Sequence, residues 1–227
     1  MTTIIEAKAI ERTYMQGEVP VHALRGVDLQ ISSGEFTVLS GPSGSGKTTL
    51  LNIVGCIDES TAGSIHVTGR DVTRLTRSQG AEFRLDHIGF VFQAYNLLPV
   101  LTAYENAEFV LMLKGVAAGE RKKIVEPLLE RVGLKDMMHR RPHQLSGGQQ
   151  QRVAVVRAIA SKPSIVLADE PTANLDSETS TGLLDIMAEL NNEFGITFLF
   201  SSHDEIVLER ARRIVRLDSG HVVEDAA

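Results

Sequence analysis

Hydrophobic residues recur at two different spacings along the chain. Apolar and polar residues alternate from Ala23 to Ile31, as expected of a half-exposed strand. Short continuous apolar runs, such as Phe36 to Ser40 and Ile165 to Ala168, have the length of buried strands. Because runs of this kind alternate with segments of helical spacing, the pattern predicts an α/β fold with a mainly parallel sheet covered on both faces.

The predicted elements follow one another without a repeat or a low-complexity linker. The predicted strands are Ile4 to Ile10, Ala23 to Ile31, Phe36 to Ser40, Ser64 to Thr68, Ile88 to Phe92, Ile165 to Ala168 and Thr197 to Phe200. The predicted helices outside the middle of the chain are Lys47 to Cys56, Leu145 to Ser161, Ser177 to Asn192 and Asp204 to Ala211. A turn at Asp218-Ser219-Gly220 predicts a final hairpin.

The middle of the chain has a different character. From Thr102 to Met138 the apolar spacing is that of helices, which predicts a helical insert in an α/β domain. We expect a single domain over residues 1–227. Its core would comprise about residues 1–93 and 160–227, and its helical subdomain about residues 94–159.

Composition narrows the class of protein. The 23 Lys and Arg residues against 29 Asp and Glu give a formal net charge of -6, which does not suggest a nucleic-acid-binding protein. The single cysteine, Cys56, excludes an internal disulfide and is expected to be a small buried hydrophobe in a helix. No segment approaches the roughly 20 apolar residues that span a bilayer, so a membrane function would require a partner.

A glycine-rich loop lies between the strand Phe36 to Ser40 and the helix that starts at Lys47, and it matches the phosphate-binding P-loop pattern. Its glycines let successive backbone N–H groups face the phosphates, and the N-terminus of the following helix faces the same anion. We expect Lys47 to bind the β- and γ-phosphates and the Thr48 hydroxyl to bind Mg²⁺. The candidate nucleotide-binding residues of the loop are Gly41, Ser43, Gly44, Ser45, Gly46, Lys47, Thr48 and Thr49. The loop alone indicates a nucleoside triphosphate, so a kinase or a GTPase stays open.

Two carboxylates, Asp169 and Glu170, end the apolar strand that starts at Ile165. Open α/β sheets bind their ligands at the carboxyl edge of the strands. Asp169 suits the coordination of Mg²⁺ through water, and Glu170 suits a general base that polarises the attacking water. A solvated strand end or a helix cap would explain the pair without function, but its place beside a P-loop favours the catalytic interpretation.

The segment from Leu145 to Gln149, Leu-Ser-Gly-Gly-Gln, predicts a second anion site. Ser146 resembles a helix N-cap, and Gly147 and Gly148 expose backbone N–H groups at the start of a helix. A chain with one P-loop has no obvious need for two triphosphate-binding edges. We therefore expect this second edge to serve the ATP of another copy of the chain.

These motifs, in this order, closely resemble those of the ABC ATPases, and the resemblance covers essentially the whole chain. The segment Leu145 to Gln149 is similar to the signature motif of that family. Gln93 is similar to its Q-loop glutamine, and Asp176 to its D-loop aspartate. His203 is similar to the switch histidine, and Tyr14 resembles the aromatic residue that stacks on adenine.

The resemblance implies a P-loop fold of the ABC type, with a mainly parallel core sheet, an N-terminal antiparallel β subdomain and a helical insert. It also implies a head-to-tail dimer of two copies, with ATP and Mg²⁺ bound between the P-loop of one copy and the signature segment of the other. Asp176 would communicate across this interface. The residues implied for contact with the partner's ATP are Ser146, Gly147, Gly148 and Gln149. Those implied for catalysis are Glu170, His203 and Gln93, and those implied for Mg²⁺ are Thr48, Gln93 and Asp169.

The stretch from Gln93 to Asn106 is similar to ATPases of the lipoprotein-release and macrolide-export group, which includes cell-division relatives. This implies a peripheral subunit at the cytoplasmic face of the bacterial inner membrane that drives a separate permease. The cargo would be contacted only through the permease, and no nucleic acid would be bound. Two interpretations stay open: an ATPase that regulates cell-wall enzymes through a permease-like partner, and a soluble ATPase of DNA repair or translation. The second would be expected to show two cassettes, a long coiled coil or zinc cysteines, which the sequence does not show.

The permease would bind near Gln93 to Thr102 and the helical insert. The apolar Leu97, Leu98 and Pro99 could seat a permease helix there. The alternative is that these three residues close the core of the helical subdomain.

Overall fold

The computed structural model describes residues 2–226, which form two β-sheets flanked by helices. The strands are β1 (Thr3–Gln16), β2 (Val19–Ser32), β3 (Phe36–Ser40), β4 (Ala62–Val67), β5 (Arg70–Asp71), β6 (Ile88–Phe92), β7 (Ile165–Asp169), β8 (Thr197–Ser201), β9 (Arg213–Asp218) and β10 (His221–Ala226). The helices are α1 (Lys47–Val54), α2 (Arg77–His87), α3 (Ala103–Leu113), α4 (Ala118–Arg131), α5 (Gly147–Ile159), α6 (Ser177–Phe194) and α7 (Glu205–Arg210). Two 3-10 turns, Lys135–Met137 and Pro142–Gln144, precede α5.

The larger sheet has the strand order β10-β9-β3-β8-β7-β6, and only β10 is antiparallel to its neighbour. Strand β8 lies between β3 and β7, so the carboxyl ends of these three strands meet at one edge. The segments that follow them, which begin at Gly41, Glu170 and Ser202, are therefore brought together. This arrangement confirms the predicted mainly parallel core sheet.

The smaller sheet is antiparallel, in the order β2-β1-β4-β5, and confirms the expected N-terminal antiparallel sheet. Strand β1 extends to Gln16, well beyond the predicted end at Ile10. Its polar second half pairs with β2, for example Tyr14 with Val21, through the backbone. The predicted end was wrong because a hydrophobic pattern does not report backbone pairing at an exposed strand end.

Strand β2 likewise begins at Val19, four residues before the predicted start at Ala23, and the remaining predicted strands and helices are found within two residues of their predicted ends. Cys56 is an exception to its prediction, because α1 ends at Val54. Cys56 follows the helix in a left-handed conformation with a φ of 54°, and its side chain is half-buried.

Helix α2 has no counterpart among the predicted elements. Only Gly80 and Phe83 of its residues are buried, so its apolar stripe is too narrow to be recognised by periodicity. A local signal was present, because Thr76 and Gln79 form a capping box in which the Gln79 N–H donates to Thr76 Oγ1 at 3.3 Å.

Three hydrophobic clusters hold these layers together. The first lies between the antiparallel sheet, α1 and one face of the larger sheet. The second covers the opposite face of the larger sheet with α5, α6 and α7. The third lies between α3, α4 and α5 and draws on residues 103–160. The subdomain boundaries near residues 94 and 159 stay a prediction.

Candidate active site

The loop from Gly41 to Gly46 connects β3 to α1, and its backbone conformation requires glycine. Gly41 and Gly46 have φ angles of 141° and 105°, a region that residues with a side chain rarely adopt. A Cβ atom at Gly46 would also collide with the carbonyl oxygen of Ala23 on β2. Gly46 is the N-cap of α1 and no side chain caps this helix, so its first N–H groups are available to an anion.

Two backbone hydrogen bonds of Gly220 connect this loop to both sheets. The Gly220 N–H donates to the carbonyl oxygen of Ser45 at 3.1 Å, and the Gly220 carbonyl accepts from the Arg25 N–H at 2.9 Å. Gly220 lies in the turn between β9 and β10, and Arg25 lies on β2. The position of the loop is therefore set by elements at both ends of the sequence.

Lys47 brings a positive charge into this loop. Only 7% of the residue is exposed. Its Nζ atom donates to the carbonyl oxygens of Gly41 at 2.7 Å and Pro42 at 3.0 Å. Both acceptors are neutral, so the charge of Lys47 is not cancelled by them and can attract an anionic ligand.

Thr48 and Asp169 meet at the carboxyl edge of the larger sheet. Thr48 Oγ1 donates to Asp169 Oδ1 at 2.9 Å, and the hydroxyl of Ser201 donates to the same oxygen. Mg²⁺ prefers such oxygen ligands and is held in nucleotide sites by one or two carboxylates together with substrate phosphates. The donor set therefore fits Mg²⁺. Between residues 2 and 226 there is no group of three or more His, Cys, Asp or Glu side chains that could hold a metal by itself.

Glu170, Ser202 and His203 form a second polar group at this edge. His203 Nδ1 lies 2.9 Å from Glu170 Oε1, and the Ser202 hydroxyl donates to Glu170 Oε2 at 3.2 Å. The Glu170 side chain is 16% exposed and that of His203 65% exposed, so the carboxylate is enclosed and the imidazole extends outward. Glu170 also has a φ of 45°. A residue with a side chain adopts this conformation at a cost of roughly 1–3 kcal/mol, and such strain is concentrated at functional sites.

The loop, Glu170 and His203 line a cleft of about 560 Å³, whereas the predicted residues Gly41 and Asp169 do not line it. The predicted site residues that line it are Ser43, Gly44, Ser45, Gly46, Lys47, Thr48, Thr49, Gln93, Glu170 and His203. Val21, His22, Ala23 and Ala173 line it as well and were not predicted. Three of these belong to β2, so the antiparallel sheet contributes one wall of the cleft.

Tyr14 does not line the cleft. Its hydroxyl donates to Asp58 Oδ2 at 2.5 Å, and the guanidinium of Arg12 lies 4.5 Å from the centre of its ring. Its cross-strand partner Val21 does line the cleft, so Tyr14 lies one strand away from it. A role for Tyr14 in adenine binding stays a prediction.

The segment predicted as a second anion site forms the capped start of α5. Ser146 is its N-cap: the Gln149 N–H donates to Ser146 Oγ at 3.3 Å, and Gln149 Oε1 accepts from the Ser146 N–H at 2.9 Å. Ser146 is exposed, and none of the residues from Ser146 to Gln149 lines the cleft of its own chain.

Asp176 lies next to this helix start. It is the N-cap of α6, and its Oδ1 atom accepts from the Thr179 N–H at 2.8 Å, which lowers the pKa of the Asp176 carboxyl. Gly148 packs so closely on Thr179 that a Cβ atom there would collide with the Thr179 methyl group. The signature segment and Asp176 therefore contact the same residue.

Sequence reasoning assigned no contact to Gln151 and Asn174, which are among the side chains that connect the parts of the site. Gln151 is fully buried, and its Nε2 atom donates to the carbonyl oxygens of Phe92 at 3.3 Å and Pro171 at 2.7 Å. Asn174 Nδ2 donates to the Gln93 carbonyl at 3.0 Å. A signal for Gln151 existed, because this polar residue falls on the apolar face of α5.

Known proteins resemble this chain over nearly its whole length. The sequence profile of the ABC transporter family matches residues 24–173. The lipoprotein-releasing system ATP-binding protein LolD of Anaeromyxobacter dehalogenans is 46% identical, over 99% of the chain and 94% of its own length. The macrolide export ATP-binding/permease protein MacB of Marinobacter nauticus is also 46% identical over 98% of the chain, which spans 34% of that protein.

A solved structure agrees with the fold. The dimeric structure of the ATP-binding cassette MJ0796 in a post-hydrolysis state, bound to ADP and Pi, matches with a TM-score of 0.90. It is 41% identical, and the match covers 97% of each chain.

None of the helices between residues 2 and 226 is both long and apolar enough to cross a membrane. The chain belongs to the ABC transporter family and is an ATP-hydrolysing member of it.

Proposed function

We propose that Glu170 is the general base for ATP hydrolysis. His203 would orient the Glu170 carboxylate and contact the γ-phosphate. The hydrogen-bonded pair Glu170–His203 at the edge of the P-loop cleft supports this assignment most directly. A carboxylate fixed by two partners is oriented to accept a proton from a water molecule. Since Nδ1 of His203 contacts Glu170, its Nε2 atom is free for a phosphate oxygen.

The phosphates would lie against the loop from Gly41 to Thr49, with Lys47 as the cation for the β- and γ-phosphates. Thr48, Asp169 and Gln93 would hold Mg²⁺, which supplies charge neutralisation of the phosphates when bound. Gln93 lines the cleft, and its backbone is held by Asn174. The post-hydrolysis state of MJ0796 with ADP and Pi supports ATP as the substrate.

The substitution Glu170→Gln tests this assignment. It keeps the shape of the side chain but removes the base, so we expect the hydrolysis rate to fall by about 10²-fold or more while ATP still binds. Steady-state phosphate release and equilibrium ATP binding measure the two quantities. Glu224→Gln, an exposed change on β10, is the matched control and should leave both unchanged. Turnover near the wild-type rate in Glu170→Gln would remove Glu170 as the base.

A second copy of the chain would complete the cleft. The residues from Ser146 to Gln149 expose a capped helix start that no phosphate in the chain's own cleft would contact. Asp176 is exposed beside it. Placed against the cleft of a partner copy, the start of α5 would bind the γ-phosphate of the partner's ATP. The dimeric form of MJ0796 supports a closed pair of cassettes.

We also propose that the chain drives a membrane permease of the lipoprotein-release or macrolide-export type and is peripheral to the membrane. MacB carries the ATP-binding part and the permease in one protein, and the present chain spans 34% of that protein. LolD has nearly the length of the present chain. These two relatives favour the transport assignment over a cell-wall regulator or a DNA-repair ATPase.

Of the apolar residues predicted to bind a permease, one is packed into the core and the others are exposed. Leu97 packs against the third hydrophobic cluster, as the core interpretation required. Leu98 is 39% exposed and Val100 is 72% exposed, and Pro99 between them is also exposed. The buried Asn106 fixes this segment, because its Oδ1 accepts from the Leu98 N–H at 2.7 Å and its Nδ2 donates to the Leu98 carbonyl at 3.1 Å. An exposed apolar segment on a fixed base suits a permease helix.

Co-purification of the chain with its permease tests this surface. We expect Val100→Asp to abolish co-purification while the isolated subunit keeps its ATPase activity. Val223→Asp, at another exposed valine, is the control and should retain the permease. Permease binding that survives Val100→Asp and Leu98→Asp together would exclude this segment as the docking surface.

A further inference from the structure

A second cavity, of about 370 Å³, lies between the segment after α1, the antiparallel sheet and α2. It shares no lining residue with the ATP cleft. Buried apolar residues, Ile53, Ile65 and Val72, form part of its wall, and the rest is mainly polar. Its volume falls in the range of small-molecule sites, about 300–1,000 Å³.

Arginines dominate the charged groups of this cavity. Arg12, Arg77 and Arg84 line it, against the carboxylates Asp58 and Glu59. Arg12 pairs with Asp58 at 2.6 Å. In the part of the chain from residue 2 to 226, neither Arg77 nor Arg84 has a carboxylate within ion-pair distance. Glu59 is unpaired within the same residues as well, so the lining has three arginines against two carboxylates, a formal net charge of +1 in a chain whose net charge is -6.

The cavity also has an excess of hydrogen-bond donors. Arg84 uses one N–H on the Cys56 carbonyl at 2.5 Å, and a guanidinium has five. A ligand that supplies several acceptor oxygens and negative charge would satisfy the remaining N–H groups of Arg84 together with those of Arg77.

We propose that this cavity binds a small oxyanion, a phosphate or a phosphate monoester, through Arg77 and Arg84. Guanidinium groups bind phosphate oxygens with paired, charge-assisted hydrogen bonds, which are about twice as strong as neutral ones. The apolar part of the wall accommodates the carbon body of a monoester. The site is independent of the ATP cleft and of the catalytic assignment above.

Cys56 provides a built-in reporter of this site, because it lines the cavity and is the single cysteine of the chain. The full chain is first saturated with a non-hydrolysable ATP analogue and Mg²⁺, which also fill the γ-phosphate position, so that added phosphate does not act through the P-loop. The rate at which N-ethylmaleimide alkylates Cys56 is then followed by mass spectrometry at constant pH. Potassium phosphate is titrated against potassium chloride of equal ionic strength, and glycerol 3-phosphate is titrated in a parallel series.

We expect phosphate to slow the alkylation several-fold in a saturable manner, and chloride not to do so. Stronger slowing by glycerol 3-phosphate would identify a monoester as the ligand class, and stronger slowing by inorganic phosphate would identify the free ion. The double variant Arg77→Gln, Arg84→Gln should lose the effect. Arg216→Gln, at an exposed arginine on β9, should keep it.

ADP binding by each variant shows that it is folded. If the double variant does not fold, the single variant Arg77→Gln, at an exposed residue, is used instead. The proposal is overturned if phosphate and glycerol 3-phosphate slow the reaction no more than chloride does. It is equally overturned if a folded arginine variant retains the full effect, because the slowing would then arise elsewhere.

Discussion

Replacing Gln151 by methionine would show whether one buried amide holds two sides of the ATP cleft together. The Nε2 atom of Gln151 donates to the Phe92 carbonyl at 3.3 Å and to the Pro171 carbonyl at 2.7 Å. Phe92 directly precedes Gln93, and Pro171 directly follows Glu170. The amide therefore spans the two segments that carry the proposed Mg²⁺ ligand and the proposed base.

The expected cost of Gln151→Met follows from these contacts. Methionine has a similar length and no hydrogen-bond donor, so the Pro171 carbonyl loses its donor, whereas the Phe92 carbonyl keeps the Tyr95 N–H at 3.1 Å. A buried group left unpaired costs about 1–3 kcal/mol. The Gln151 Oε1 atom has no partner among residues 2–226, so its removal offsets about this cost. The lost hydrogen bond to Phe92 is worth about 0.5–1.5 kcal/mol, so we expect the free energy of unfolding to fall by about that amount and the hydrolysis rate to fall with it.

Urea unfolding followed by circular dichroism measures the stability, and steady-state phosphate release measures the rate. Gln150→Met is the matched control. Gln150 lies next to it on α5, is half-buried, and donates only to the Leu145 carbonyl at 3.2 Å. We expect it to stay within about 0.5 kcal/mol of the wild type. If both variants are equally stable and hydrolyse ATP equally fast, Gln151 does not hold the two segments.

Three further outcomes are expected. Lys47→Ala should weaken ATP binding at least about tenfold in calorimetry, because it removes the buried cation of the loop, and unchanged affinity would contradict its assignment. Ser146→Arg should prevent ATP-driven dimerisation in analytical ultracentrifugation while each monomer still binds ATP, and a dimer of normal affinity would contradict the shared site. Burial raises the pKa of the Cys56 thiol to about 11, so its alkylation rate should keep rising with pH up to that value. A plateau near the ordinary thiol pKa of about 8.5 would show that the thiol is not buried.

The edge that carries the site could be predicted because each of its parts follows an apolar strand. The P-loop follows β3, Asp169 ends β7 and His203 follows β8, and parallel strands have their carboxyl ends at one edge. The order of those strands was not predictable in the same way. Phe36 on β3 pairs with Phe198 on β8, far away in the sequence, and no local pattern indicates such a neighbour.

The missed residues share one physical cause, which is that their roles depend on distant partners. Ser201 contacts Asp169 and Ser202 contacts Glu170, each across 32 residues. A serine at the end of a strand carries no sign of such a bond in the sequence. Helix α2 was missed for a different reason, because it is mostly exposed and is marked chiefly by its cap.

The bond between Gly220 and the P-loop sets a limit on how the protein can be shortened or fused. The turn that contains Gly220 lies 175 positions after Ser45, well beyond residues 24–173, which the family profile matches. A deletion that begins before Gly220 would remove the hydrogen bond to the Ser45 carbonyl and weaken nucleotide binding. A tag attached after β10 leaves that hydrogen bond in place, so labels for imaging or capture belong there.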